Sequence, residues 1–428
     1  MKVLIVGNGA REHVIAEAIA KDAELYAVMS KKNPAIAKLS EKYWVCDIEN
    51  PEEVKKAIAG EKFDIGFSSP DATLAAGVSD ALGEFCAGIA SPTQKASRIE
   101  WDKSYARNLM GRNDIPGLPE FKVVSSEREA KSAIDEIGEV AVKPIGLTGG
   151  KGVKIMGEHL DKNETIDYSV KLIDKDGSVL LEERLKGEEF TLQAFCDGEH
   201  IAFMPPVQDH KRAFEDDKGP NTGGMGSYST GENLPFLEKP DLEAAEDIMR
   251  KTMDAMKKEG NPYKGILYGQ FMVTKNGIKV IEFNARFGDP EAMNVVPLVK
   301  DSFSGILQKI ADGNLGKVDF EQKSTVVKYL VPDGYPTDPK KDVEVLVKED
   351  KIKNTKIYYA SVYEKDGKVL TTGSRAFGIL GIADAIEEAE QISENACGLV
   401  DGPVWHRKDI GTKHLIEKRI VHMQKLRG

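Results

Sequence analysis

The first hundred residues constrain the chain most. Short β-branched runs, "KVLIV", "LYAVMS" and "FDIGF", alternate with stretches of helical spacing such as "AREHVIAEAIAKD" and "NPEEVKKAIAG". Strands that alternate with helices build a parallel sheet, because parallel neighbours need a crossover connection. After residue 100 the pattern changes. "GIASPTQKASRIEWDKSYARNLMGRNDIP" reads as a strand, a turn and one long helix closing at Pro116, with the look of a domain junction. From about 120 to 195, strands and helices flank a glycine-rich loop, "GEVAVKPIGLTGGKGVKIM". "QDHKRAFEDDKGPNTGGMGSYSTGENLP" then reads as loop, and loops of that length in compact domains are usually functional or disordered. An amphipathic helix is expected over 241–259, a hairpin over "GILYGQFMVTKNGIKVIEFNARF", and a small α+β region beyond 325. A chain of 428 residues is too long for one simple core. The expected organisation is an N-terminal parallel α/β domain (1–102), a central domain (103–318, with a flap subdomain at about 120–190) and a C-terminal α+β domain (325–428).

Composition removes several function classes. A net charge of −11 argues against a protein that holds nucleic acid through general electrostatics, since that mode needs a basic surface. No apolar run approaches the roughly 18 residues a membrane helix requires. "MKVLIVGNGAREH" runs straight into a glycine turn and reads as a strand rather than a signal peptide. Cys46, Cys86, Cys196 and Cys397 are far apart, with no CxxC and no Cys/His pair at zinc spacing, and read as small core residues in a reducing compartment. The expectation is a cytoplasmic monomer without nucleic-acid or membrane partners.

"VIEFNARFGDPE", Val280 to Glu291, is the stretch that points to chemistry. Side chains alternate along a strand, so Glu282, Asn284 and Arg286 share one face, and Ile281, Phe283 and Ala285 turn to an apolar face. A solvated outer face is the ordinary reading, but Asn is a poor strand former and the run ends in Asp289-Pro290-Glu291. If "KNG" (275–277) is a three-residue hairpin loop with Gly277 left-handed, Gln270 falls opposite Glu282. A two-residue loop would set Gln270 against Phe283 instead. The first register clusters Gln270, Glu282 and Asn284, oxygen donors of the type Mg²⁺ or Mn²⁺ prefers.

"AVKPIGLTGGKGV" places Lys143 at a strand end ahead of Gly146, Gly149, Gly150 and Gly152, where exposed N–H groups can cradle phosphate. It is not a P-loop: the glycine spacing is too short and no Ser or Thr follows the lysine. In "VLLEERLKGEEF", backbone groups at Arg184 and Leu185 could read an adenine edge and Glu189 could accept ribose hydroxyls, although surface acids explain the stretch equally well. "GNGARE" tempts a dinucleotide reading. However, Gly7-x-Gly9-x-x-Glu12 lacks the third glycine, and no acid closes the second strand. A helix N-terminus there still suits a phosphate or phosphate-sugar.

Taken together, a lysine before a glycine flap, an acidic hinge and a hairpin ending in E-x-N resemble the ATP-grasp enzymes. "GNGAREH", "QDHKR", "GPNTGGMG" and "EFNARFGDPE", with "TTGSRAFGI" and "WHRKDIG" near the C-terminus, resemble the phosphoribosylamine–glycine ligase family over essentially the whole chain. That resemblance implies a pre-ATP-grasp first domain, a central ATP-grasp domain, and ligation of glycine to 5-phosphoribosylamine through glycyl phosphate. It implies ATP as cosubstrate and two Mg²⁺ or Mn²⁺ ions on Gln270, Glu282 and Asn284. Lys103, Lys143, the flap glycines Gly149, Gly150 and Gly152, Glu182, Arg184, Leu185 and Glu189 would hold ATP. Substrates would meet Asn8, Gly9, Asp71, Asp209, Lys211, Asn221, Thr222, Gly223, Arg286 and Asp289, with Arg286 and Lys143 catalytic. His210 is expected to be structural or a substrate contact rather than a base. Where the family usually reads Lys-Ala-Asp-Gly in the flap, this chain has Lys143-Pro144-Ile145-Gly146, and Asp71 stands where a Glu is usual. The rival readings are another ATP-grasp carboxylate–amine ligase, a nicotinamide oxidoreductase built on the first domain, and a non-catalytic nucleotide-binding protein.

Overall fold

A computed structural model describes residues 1–148 and 152–428. The alternation at the N-terminus forms a five-stranded, wholly parallel sheet in the order Lys42–Val45, Glu24–Met29, Lys2–Val6, Phe63–Ser68, Cys86–Ile89. Its central strand is buried from Val3 to Val6, as expected of a strand covered by helices on both sides.

The long helix expected across the junction is two helices, Gln94–Trp101 and Lys103–Arg112. Asp102 leaves helical geometry between them, and its carboxylate accepts from the Tyr105 N–H (2.9 Å) and the Ser104 hydroxyl (2.6 Å). This is an N-cap placed inside a sequence whose hydrophobic spacing runs through it. It makes Lys103 the first residue of the second helix.

Three further sheets frame the centre. Phe121–Val124, Val179–Glu183, Val140–Pro144 and Lys154–Ile155 form a small antiparallel sheet backed by the helices Glu127–Ile137 and Lys162–Asp176. Facing it, Ile201–Phe203, Gly187–Asp197, Lys264–Thr274 and Gly277–Asn284 form a second sheet, packed on the amphipathic helix Lys239–Lys258. The presumed loop region 208–235 contains short strands instead. Gln208–Asp209 and Gly226–Ser229 extend a C-terminal sheet containing Ser324–Pro332, Phe377–Ala383 and Thr355–Tyr359. The C-terminal helix Lys413–Arg427 returns to the central sheet, where Arg419 Nη1 donates to Glu188 (2.8 Å). Among the described residues no helix is long and apolar enough to cross a membrane.

Candidate active site

The site grows from the hairpin Lys264–Thr274/Gly277–Asn284. The chain turns at Lys275–Asn276, with Thr274 paired to Gly277 at φ +92°, so the loop is one residue shorter than the three expected. This register sets Phe271 opposite Val280, and continued unchanged it would lose the expected pairing. A one-residue irregularity restores it: Ile281 has no partner, and beyond it Gln270 lies across from Glu282 and Tyr268 from Asn284. The predicted pair is therefore present, produced by a bulge rather than by the loop. The apolar face is accordingly Ile278, Val280, Phe283 and Ala285, all buried, while Ile281 is only half-buried.

Over the opposite, polar face of Gln270, Glu282 and Asn284 stands a group of cations. Lys143 Nζ donates to Glu182 (2.5 Å) and to the Ile281 carbonyl (3.1 Å). Glu182 also receives Arg107 Nε (2.5 Å) and Nη2 (3.1 Å). Burial opposes the Glu182 charge, but Arg107 and Lys143 outweigh it and hold the carboxyl down to about 2. Lys103 Nζ reaches the Gly146 carbonyl (3.0 Å), linking the junction helix to the flap, and burial lowers its pKa. Glu282 is likewise opposed by burial, yet Lys211, Lys103, Lys143 and Arg286 keep it ionised below its ordinary range. Gln270 Nε2 donates to Glu189 (2.7 Å), whose carboxylate lies 3.7 Å from Lys211 Nζ. Lys211 loses against burial, but Glu189, Glu282, Asp209 and Glu291 more than compensate and raise its pKa.

The strand end meets the first domain. Arg286 pairs with Glu100 (3.0 Å), and donates to Asn284 Oδ1 (3.1 Å) and the Phe287 carbonyl (3.1 Å), while its buried Nε has no partner among the described residues. Glu100 also accepts the Ala285 N–H (2.7 Å), and burial pushes its carboxyl up to about 7 despite Arg286. Arg11 donates to the Phe287 carbonyl (3.2 Å) from the opposite side. Asp71, in the first turn of Asp71–Ala75, is buried against its charge but held below its ordinary pKa by Arg286 and Arg11.

The "NTGG" and "FGDPE" segments are clamped together. Arg375 Nη1 donates to the carbonyls of Gly223 (2.6 Å), Gly224 (3.0 Å) and Asp289 (2.8 Å), and Nη2 pairs with the Asp289 carboxylate (3.1 Å). Tyr329 donates its hydroxyl to Asp289 from below. Gly224 adopts φ +105°, and a Cβ there would lie 2.6 Å from Asp209 Oδ1 and 2.7 Å from Pro290 Cδ, so only glycine fits. Asp209 Oδ1 is buried without a partner among the described residues, and burial beside Glu291 raises its pKa well above the ordinary value. Thr222 returns its hydroxyl to the Lys211 carbonyl (2.9 Å), and Asn221 pairs with Arg212.

Not every expected residue comes to the centre with free groups. Asn8 Oδ1 accepts from the Ser30 N–H (3.1 Å) and hydroxyl (2.8 Å), and the Gly9 N–H donates to Glu12 (2.6 Å). The Arg184 N–H is occupied by the Glu139 carbonyl (2.8 Å), which leaves Leu185, in the connection between two strands, as the freer part of the hinge. Gly152 is anchored by Tyr168, whose hydroxyl donates to its carbonyl (2.8 Å); Gly149 and Gly150 lie outside the described residues. His210 is buried against Asp217 (3.4 Å), an acid that Arg407 (3.1 Å) and Arg419 (2.5 Å) also hold. Burial lowers the His210 pKa, in keeping with a structural place. Sequence reasoning missed Arg107, Glu100, Glu291 and Arg375. The last two lie inside motifs already noted, "FGDPE" and "TTGSRAFGI"; the first two sit on helices whose pattern shows only amphipathic spacing.

The donor set accommodates a divalent ion. Gln270 Oε1 is buried with no hydrogen-bond partner, opposite a carboxylate balanced only by more distant charges among the described residues. Such an orphaned acceptor beside an ionised oxygen calls for a cation. No cluster of three His, Cys, Asp or Glu side chains of metal-binding type occurs among the described residues, so the set is one carboxylate with two amides.

Comparison with known proteins fits this arrangement. Three family models match most of the chain: the phosphoribosylglycinamide synthetase N domain at 1–100, its ATP-grasp (A) domain at 101–292, and its C domain at 325–413. The phosphoribosylamine–glycine ligase of Methanosarcina barkeri is 52% identical over 439 residues, covering 100% of both chains. Among solved structures, the Thermotoga maritima phosphoribosylamine–glycine ligase superposes with a TM-score of 0.82 at 28% identity, over 96% of this chain and 100% of that one. The biotin carboxylase domain of Hydrogenobacter thermophilus 2-oxoglutarate carboxylase, solved with MgADP, ADP and bicarbonate, shares the fold at 14% identity and a TM-score of 0.73, over 99% of this chain and 93% of that one. With all three domains matched and half of its residues identical to a full-length relative, the chain belongs to the phosphoribosylglycinamide synthetase family of ATP-grasp ligases.

Proposed function

We propose that the protein ligates glycine to 5-phosphoribosylamine at the expense of ATP, giving glycinamide ribonucleotide, ADP and phosphate in purine biosynthesis. The observation that carries this reading is the face of Gln270, Glu282 and Asn284 set below Lys143 and Lys103 and ending at Arg286.

A carboxylate does not react with an amine in water. An oxygen of the glycine carboxylate attacks the γ-phosphorus of ATP and ADP departs, leaving glycyl phosphate. The amine nitrogen of phosphoribosylamine then attacks the acyl carbon, phosphate leaves with the C–O bond electrons, and the nitrogen loses a proton. Phosphoryl transfer of this kind needs positioning and charge neutralisation more than covalent help. Lys143 and Lys103 hold phosphate oxygens, with Gly149, Gly150 and Gly152 in the covering flap. Glu182 orients Lys143, and Leu185, Arg184 and Glu189 border the nucleoside. Glu282, Gln270 and Asn284 would hold Mg²⁺ or Mn²⁺, which would supply charge neutralisation to the phosphates. Arg286, fixed by Glu100 and Asn284, holds the glycine carboxylate or the transferring phosphoryl group. Asp209 Oδ1, buried and free, is the acceptor suited to the glycine ammonium. Asp71, with Asn8 and Gly9 beside it, faces the phosphoribosylamine end, and Lys211, Asn221, Thr222, Gly223 and Asp289 close over the substrates. Excluding water protects an acyl phosphate from hydrolysis. The amine is reactive without a base, so His210 has no proton to take. The three-domain division near residues 102, 318 and 325, a cytoplasmic location and a monomeric state complete the reading.

The test is ADP release from ATP and Mg²⁺ with phosphoribosylamine generated in the assay, comparing glycine, alanine and no amino acid. Release that requires both glycine and the amine is expected. Release indifferent to glycine would retain the ATP-grasp chemistry and reject this carboxylate.

A further inference from the structure

The bulge that turns Glu282 toward the site is held from outside the hairpin. Arg107 is 3% exposed and belongs to the helix Lys103–Arg112. Its Nη2 donates to the carbonyls of Val280 (3.1 Å) and Ile281 (2.7 Å), while the same guanidinium grips Glu182. Lys143 gives the Ile281 carbonyl its second hydrogen bond. A bulge lifts backbone groups out of the ladder, and buried carbonyls left unpaired are costly. The loop register has Phe271 opposite Val280, and without the extra residue it would run on to Gly269 opposite Glu282. Side chains two apart on a regular strand share a face, so Glu282 would then join Val280 on the apolar face. Shifting the register by one residue moves it to the Gln270 side.

We infer that Arg107 is a positioning residue for the metal-holding carboxylate: by donating to the Val280 and Ile281 carbonyls it fixes the bulge that aims Glu282 at Gln270. Its hydrogen bonds go to Glu182, Met110 and the two strand carbonyls. Arginine suits the task because one rigid fork spans a carboxylate and two carbonyls, whereas a lysine ammonium is a compact point donor on a flexible stem. The inference rests on the assignment of the divalent ion to Glu282 made above.

The test compares Arg107→Lys and Glu282→Gln in the full chain, reading Mn²⁺ binding by the electron paramagnetic resonance of free Mn²⁺ at fixed ADP against the same ADP without protein. Arg107→Lys is expected to weaken Mn²⁺ binding about ten-fold or more, as loss of an outer support for a ligand does. The KM for glycine should stay within about two-fold, because Arg286 and Asp209 lie beyond the bulge. Mn²⁺ binding lost in Glu282→Gln but retained in Arg107→Lys overturns the inference alone. Retention in both variants overturns the metal assignment and the inference with it. Should Arg107→Lys fail to fold, Arg107→Gln, which leaves Glu182 paired with Lys143, carries the same expectation.

Discussion

Two regions of this chain look alike as ligand sites in the sequence and differ in their hydrogen bonding. The turn Gly7–Gly9 opens a helix after a parallel strand, the usual setting for an anion. Yet the Gly9 N–H is taken by Glu12, Glu12 is taken by Ser69 (2.6 Å) and Arg11 (2.6 Å), and Asn8 is taken by Ser30. The strand end Glu282–Arg286 does the opposite. Among the described residues, Gln270 Oε1 and Arg286 Nε are buried without partners, and Glu282 faces cations it does not touch. A polar group satisfied by the protein itself contributes stability; one left unsatisfied in the interior costs stability until a ligand arrives. The difference is one of pairing: the named polar groups of the first region are held by the protein itself, and those of the second are still open.

The comparison breaks if the open region answers to mutation through stability and the closed one through chemistry. The largest expected effect is at Glu282. Glu282→Gln should lower kcat by about 10³, roughly 4 kcal/mol of transition-state stabilisation, with a melting temperature close to the parent's. Normal turnover would remove the metal face.

Next is His13, one turn past the closed region. Its Nδ1 accepts the Tyr359 N–H (2.9 Å), and burial lowers its pKa to about 4, with Glu17 opposing. A histidine held neutral contributes stability that is complete above its unfolded pKa of about 6.5 and disappears as pH falls toward 4. Denaturant titrations should show a loss of about 3 kcal/mol across that window, and His13→Gln should flatten it.

Glu12→Gln should cost about 2 kcal/mol in the same titrations, since a carboxylate accepting three hydrogen bonds gains an amide hydrogen it cannot place. The Mg²⁺ concentration for half-maximal activity should not change. Smallest is Asp71, which lies between the regions. Asp71→Ala should raise the KM for phosphoribosylamine about ten-fold, near 1.4 kcal/mol, and the KM for ATP less than two-fold. Equal effects on both would move Asp71 out of the substrate site.

The legibility of this site in the sequence follows the range of the interactions involved. Strand alternation and the Glu282–Asn284–Arg286 spacing are local, and both regions they describe are where they were expected. The Gln270–Glu282 pair was expected for a different reason from the one observed. Loop length is a local property, whereas the Ile281 bulge depends on Arg107, more than 170 positions away in the chain. The helix break at Asp102 was hidden because hydrophobic spacing continues across it while a single capping carboxylate decides the backbone. Glu100 and Arg375 act through main-chain groups of other domains; Glu100 lies in no noted motif, and the motif around Arg375 does not say which backbone it holds.

The strand Gly226–Ser229 has a consequence for how the chain could be divided. It pairs with Thr325–Lys328 from the C-terminal region, register Gly226 to Lys328, and the Tyr329 N–H donates to the Met225 carbonyl (2.9 Å) just beyond. A protease nick near residues 316–322 would cut one peptide bond and leave this ladder intact, so the two fragments should travel together as one particle. Deleting everything after the nick would strip a buried strand of its neighbour and leave a raw, adhesive edge. The last hundred residues are therefore a poor unit for exchange between proteins, since two of the six strands of their sheet are encoded upstream.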